Sequence, residues 1–92
     1  MKFIISHSRA FIGQNISVEV DADTGETIRH VTVNLDGFDI DSVDLPPGTT
    51  QYKRDFNNVG DAGPGMDHVL IVTATDQDLN NHSSETRWTD SN

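Results

Sequence analysis

Cysteine is absent from the 92 residues, so the chain has no disulfide framework, no thiolate metal site and no thiol nucleophile. Bases are scarce. Six Lys and Arg stand against fifteen Asp and Glu, a formal charge of −9 that repels phosphate backbones and anionic lipid heads and argues against nucleic acid or a membrane as partner. Long apolar runs are also lacking: Phe3–Ile5 at the start is far shorter than a signal-peptide core or a membrane span, so a secreted form has to be cut from a longer precursor. Apolar residues make up 34% of the chain, enough for one thin core and not for two, which sets a single domain over residues 1–92 and excludes two-domain mechanisms. Ala and Leu occur only four times each, and no stretch shows helical periodicity.

What is present is alternation. Ile16, Val18 and Val20 are spaced by Ser17 and Glu19, the period-two pattern of a strand with one buried and one wet face. Residues 28–36 repeat it with Val31, Val33 and Leu35 inward, and end on Asp36-Gly37, a pair suited to a type I′ hairpin. The return strand, residues 38–45 with Phe38 and Ile40 on one face, stops at Pro46-Pro47-Gly48. Tyr52, Arg54 and Phe56 share one face of a further strand, in which Arg54 needs an edge or a partner. Residues 57–65 read as a surface loop. The run Val69-Leu70-Ile71-Val72 predicts a central strand over 67–76, with Leu70, Val72 and Ala74 toward the core. Strands at residues 3–6 and 83–89 complete a set of seven. Short strands joined by Gly, Asp and Pro turns at intervals of roughly ten residues predict an all-β, antiparallel sandwich, with a small barrel as the alternative.

Four segments taken together, Gly13, Ile16 to Asp23, Val31 to Gly37 and His68 to Asp76, resemble the bacterial immunoglobulin-like modules over about residues 2–89. The family shows a glycine before the second strand, an acidic loop after it, a strand ending near a DG hairpin, and a late strand closing on an A-x-D turn. The resemblance implies a seven-stranded immunoglobulin-like sandwich without disulfide. One departure is Leu79-Asn80-Asn81, which stands where the family usually has a glycine. Asparagine is expected to take the left-handed conformation there. No Cys pair and no Trp in the third strand means that an antibody-like core is excluded.

Twelve of the fifteen acids are Asp, a turn residue, and several sit where loops of such a sandwich meet. Asp21, Asp23 and Glu26 follow the second strand; Asp76, Asp78, Asn80 and Asn81 follow the sixth, and loops at one end bring them into one neighbourhood. Asp21, Asp23, Asp76, Asp78 and Asn80 are therefore candidate ligands for Ca²⁺, a hard cation that takes six to eight oxygens. The alternative is solvated turn aspartates bonded to nearby backbone N–H groups. Arg87 stands where a helix-loop-helix calcium hand needs its closing glutamate, so that motif is ruled out. His7, His30, His68 and His82 lie in separate segments and read as surface residues, with His68 and His82 at opposite ends.

Trp88 and Tyr52 are the two side chains that combine a large aromatic face with a polar handle, and so the candidates for stacking on a sugar. Packing is the alternative: Trp88 shares a face with Thr86 and Ser84 while Glu85 and Arg87 take the wet one, which places Trp88 inside. No G-x-S-x-G elbow, phosphate-binding loop or carboxylate-lined cleft can be assembled, so no enzyme is expected. An odd strand count sends the two chain ends to opposite poles, which suits tandem modules. The reading is a non-catalytic spacer or adhesion module, monomeric or one of an array, with an unspecified protein or carbohydrate ligand. The resemblance implies an extracellular or cell-surface setting. The alternatives are a small carbohydrate-binding module, or a free-standing accessory subunit of a phage or secretion apparatus.

Overall fold

The computed structural model describes residues 1–91. Seven antiparallel strands follow in chain order: β1 (Lys2–Arg9), β2 (Gln14–Asp21), β3 (Ile28–Leu35), β4 (Phe38–Asp44), β5 (Gln51–Val59), β6 (Asp67–Asp76) and β7 (Asn81–Thr89). They form a three-stranded sheet, β1-β2-β5, facing a four-stranded sheet, β4-β3-β6-β7. Alternation explains the packing. Ile16, Val18 and Val20 from one sheet bury against Val31, Val33, Leu35, Leu70, Val72 and Ala74 from the other, with Tyr52 and Phe56 closing the core from β5. Val69 and Ile71, which made β6 look buried on both faces, lie half-buried on the outer face opposite Arg87 and Glu85, whose aliphatic stems can cover them.

Turn chemistry fixes the connections. Asp36 and Gly37 both take positive φ, 52° and 90°, as the predicted I′ hairpin requires. Gly13 is needed for a different reason: a Cβ there would lie 2.7 Å from the Asn58 carbonyl carbon, so the first turn and β5 approach as only glycine allows.

Several expectations need correction. Residues 57–59 belong to β5, and the surface loop spans only residues 60–66. Phe38 and Ile40 do not form a common inward pair. The register shifts between Val33 and Asn34, which face Asp41 and Asp39, so Ile40 is the extra residue of a bulge, and Phe38 is 75% exposed while Ile40 packs on the core. The left-handed residue after the A-x-D turn is Leu79, with φ 65°, rather than an asparagine.

The two open sides of the sandwich are closed by polar contacts between sheets. On one side the Tyr52 hydroxyl donates to Asp41 Oδ2 at 2.6 Å and Arg54 Nη1 reaches the same oxygen at 3.2 Å, which gives Arg54 its partner. On the other, the His7 ring stacks on Trp88 with centroids 4.0 Å apart. The body measures 44 × 19 × 18 Å, with residue 1 at the pole of the 22–27, 45–50 and 77–80 loops and residue 91 at the other.

Candidate functional site

Three polar constellations stand out, one at each pole and one on the outer face of the four-stranded sheet. At the pole nearest residue 1, the loops after β2 and β6 do meet: the Thr27 N–H donates to Gln77 Oε1 at 2.8 Å. The side chains that converge are Glu26, Asp76 and His82, whose ligand-type atoms lie within 4.8 Å of one another. Asp21 and Asp23 stand outside that group. Asp21 accepts from Gln51 at 3.0 Å, and Asp23 closes the turn in which its N–H donates to Glu26 Oε1. Asp76 is 4% exposed and organises its own loop, since Oδ1 accepts the Asp78 and Asn80 N–H groups at 2.9 and 3.0 Å and Oδ2 accepts from His82 Nε2 at 2.9 Å. The His82 contact and the two backbone donors hold its carboxyl below the usual range, against the cost of burial. Asp78 and Asn80 thus meet the Asp76 carboxylate through backbone donors, and the Asn80 carbonyl accepts the Asp76 N–H at 3.0 Å.

At the other pole His68 is buried, which corrects the expectation of a surface histidine. Its Nδ1 lies 2.7 Å from Asp36 Oδ2 and its Nε2 3.0 Å from Asp90 Oδ2. An ionised carboxylate only accepts, so the two carboxylates flanking His68 favour hydrogen on both ring nitrogens, an imidazolium, against the opposing Gln14 Nε2 donor 3.1 Å from Nε2. Burial pulls its pKa down, but the bonds to Asp36 and Asp90 and their charge outweigh that, and the net shift is upward. Asp90 also accepts from Gln14 Nε2 and from the Gly63 N–H, and Gln14 Oε1 accepts from Trp88 Nε1 at 3.2 Å. The network ties the hairpin after β3, the 60–66 loop, β6 and β7 together, and among the described residues no buried side-chain polar atom lacks a partner. The only advance sign of it was His68 at the start of a strand read as central, where a polar side chain needs a partner.

On the outer face of the four-stranded sheet, His30 Nδ1 lies 2.7 Å from Asp44 Oδ1, and Nε2 lies 3.1 Å from Thr32 Oγ1 and 3.2 Å from Ser42 Oγ. Only His30 was named in advance, as a surface histidine; its partners were not, because pairing across a hairpin, not proximity in sequence, brings them together.

The proposed sugar-stacking residues are both turned inward. Tyr52 is 6% exposed, its ionisation pushed up chiefly by burial and then by the bond to Asp41. Trp88 is half-buried against the core with one ring face under His7. The fully open aromatic rings are Phe11 and Phe38, 94% and 75% exposed, near the pole of His68. Surface grooves are open and modest; one of about 320 Å³ is lined by Thr27, Arg29, Leu45, Pro46 and Gln77 among others. Among the described residues no helix is long and apolar enough to cross a membrane.

Two facing antiparallel sheets of three and four strands, in the order β1-β2-β5 and β4-β3-β6-β7, define an all-β immunoglobulin-like sandwich. Among solved structures, the fibronectin(III)-like modules of CbhA from Clostridium thermocellum are similar over 96% of this chain and 97% of that one, with a TM-score of 0.53 and 17% identity, a likeness of fold. No family model and no curated protein matches the chain. The fold by itself assigns no function, which resides in the sites it carries.

Proposed function

We propose that the chain is a non-catalytic structural module, a spacer or adhesion unit of the kind represented by the bacterial immunoglobulin-like modules, and that it works in an extracellular or cell-surface protein. The observation that carries this reading is the placement of residues 1 and 91 at opposite poles of a body 44 Å long, so that copies joined in series extend along one axis. The −9 charge keeps such arrays soluble and mutually repelling. The test is small-angle scattering from two copies fused end to end: a maximum dimension close to twice that of one copy supports the spacer, and a compact particle rejects it.

A second reading rests on the meeting of Glu26, Asp76 and His82: a divalent cation clasp at the acidic pole. The calcium expected from Asp21, Asp23, Asp76, Asp78 and Asn80 narrows there to two carboxylates and an imidazole, a donor set better matched to zinc. Binding would displace the proton that His82 Nε2 shares with Asp76. Melting temperature measured with Zn²⁺ and with Ca²⁺ distinguishes the cases. A rise with zinc that disappears in His82→Gln supports the clasp, a rise with calcium alone returns it to the oxygen set, and no rise with either removes it.

A further inference from the structure

His30, Asp44 and Ser42 are aligned as a charge-oriented base and a hydroxyl, and we propose that Ser42 is an activated nucleophile that takes an acyl group from small activated esters. The alignment follows from the sheet. His30 pairs with Asp44 and Thr32 with Ser42 across β3 and β4, and positions two apart on a strand share a face, so all four side chains stand together on the outer surface. Asp44, as a carboxylate, can only accept. In the neutral ring of His30 this side chain, itself 92% exposed, favours the hydrogen on Nδ1, 2.7 Å away, and so a lone pair on Nε2. Two hydroxyls lie within hydrogen-bond reach of that lone pair, Ser42 at 3.2 Å and Thr32 at 3.1 Å. Ser42 is the better nucleophile of the two, being a primary alcohol, exposed, and on the edge strand where an ester can approach.

The backbone supplies a second element. The Leu45 N–H donates to the Arg29 carbonyl, so residues 29 and 45 are a hydrogen-bonded pair, and the alternation of an antiparallel ladder makes the Thr32–Ser42 pair a non-bonded one. The Ser42 N–H consequently points to the open edge of the sheet, on the residue that would carry the developing oxyanion.

In the step, Ser42 Oγ bonds to the carbonyl carbon as its proton passes to His30 Nε2. The tetrahedral adduct then collapses: the bond from carbon to the leaving oxygen breaks, that oxygen keeps the electron pair, and the His30 proton goes to it. Ser42 ends as an ester and His30 as a neutral imidazole; nothing is oxidised or reduced. Asp44 acts as a positioning residue. Because the face is flat and wet, the chemistry is a single acylation of the module, which leaves its reading as a non-catalytic fold intact.

The experiment uses the full chain with p-nitrophenyl acetate, following nitrophenolate release and locating the acetyl group by peptide mass spectrometry. The expected result is acetylation of Ser42, slowed by on the order of 10² in His30→Gln, slowed less in Asp44→Asn, and absent in Ser42→Ala. All three substitutions lie on the outer face, and an unchanged circular dichroism spectrum checks the fold. An unlabelled Ser42, equal labelling of Ser42 in His30→Gln, an acetyl group on Thr32, or undiminished nitrophenolate release by Ser42→Ala each overturns the proposal.

Discussion

Replacing His68 by glutamine removes the imidazole that lies between the buried Asp90 carboxylate and the exposed Asp36. The side chain of His68 is fully inaccessible and that of Asp90 is 1% exposed, so the variant leaves the Asp90 charge with only Gln14 and the Gly63 N–H as donors. Breaking a buried ion pair from one side costs about 3–5 kcal/mol, and the surviving donors put His68→Gln at the low end, about 3 kcal/mol. For a domain of this size that lowers the melting temperature by about 12–24 °C. The pH dependence is the sharper signature. The folded-state pKa of His68 is raised above the ordinary 6.5, so its contribution is complete below 6.5 and is lost as pH rises through the folded value. Asp90 has the opposite sign: its pKa is lowered from 3.8, burial opposing the shift and His68, Gly63 and Gln14 driving it, so its contribution holds above 3.8 and disappears on acidification. Urea unfolding followed by far-ultraviolet circular dichroism between pH 5 and 9 should show wild-type stability declining above pH 6.5 and the variant lacking that decline. A cost below about 1 kcal/mol, or the same alkaline slope in both proteins, refutes the imidazolium assignment.

Other outcomes follow from single contacts. Tyr52→Phe should cost about 1 kcal/mol in urea unfolding, since it removes the 2.6 Å bond to Asp41 while the ring stays packed. Ultraviolet titration of the wild type should show no tyrosinate at the pH where free tyrosine ionises, because burial and Asp41 push the phenol upward. Gly13→Ala should destabilise by roughly 1–3 kcal/mol, as its Cβ meets the backbone of residues 58 and 59. Leu79→Gly should instead stabilise by roughly 0.5 kcal/mol, relieving the positive φ of a residue that is 63% exposed and has little packing to lose. His7→Ala should change the emission of Trp88, whose ring it uncovers, and an unaltered spectrum would dispute the stack.

The sandwich was readable because burial on one face imposes a period of two wherever a strand is well covered, as at Ile16-Val18-Val20 and Val31-Val33-Leu35. The Asp36-Gly37 turn was readable because few residues accept two positive φ values in succession. Strand ends were less so: β1, β5 and β7 extend through Ser, His, Asn and Arg, since the backbone ladder continues where side chains face water. The bulge at Ile40 escaped notice because it depends on register against β3, a property of the pair. Of the candidate site, the loops after β2 and β6 were correctly brought to one pole, but it is Glu26 and His82 that reach Asp76, side-chain reach being invisible in loop order. The buried His68 network and the outer-face His30 group depend on residues from several segments, and the scatter of the histidines along the chain, which suggested surface positions, misplaced only His68 of these two.

Residue-by-residue amide hydrogen exchange measured by NMR puts the two-sheet core to the most direct test. The slowest exchange should fall on the paired amides of β3 and β6, around Val31, Val33, Leu70 and Val72, with rapid exchange over residues 60–66 and at both poles. Protection concentrated in residues 60–66, or β3 and β6 exchanging as fast as the loops, would contradict it.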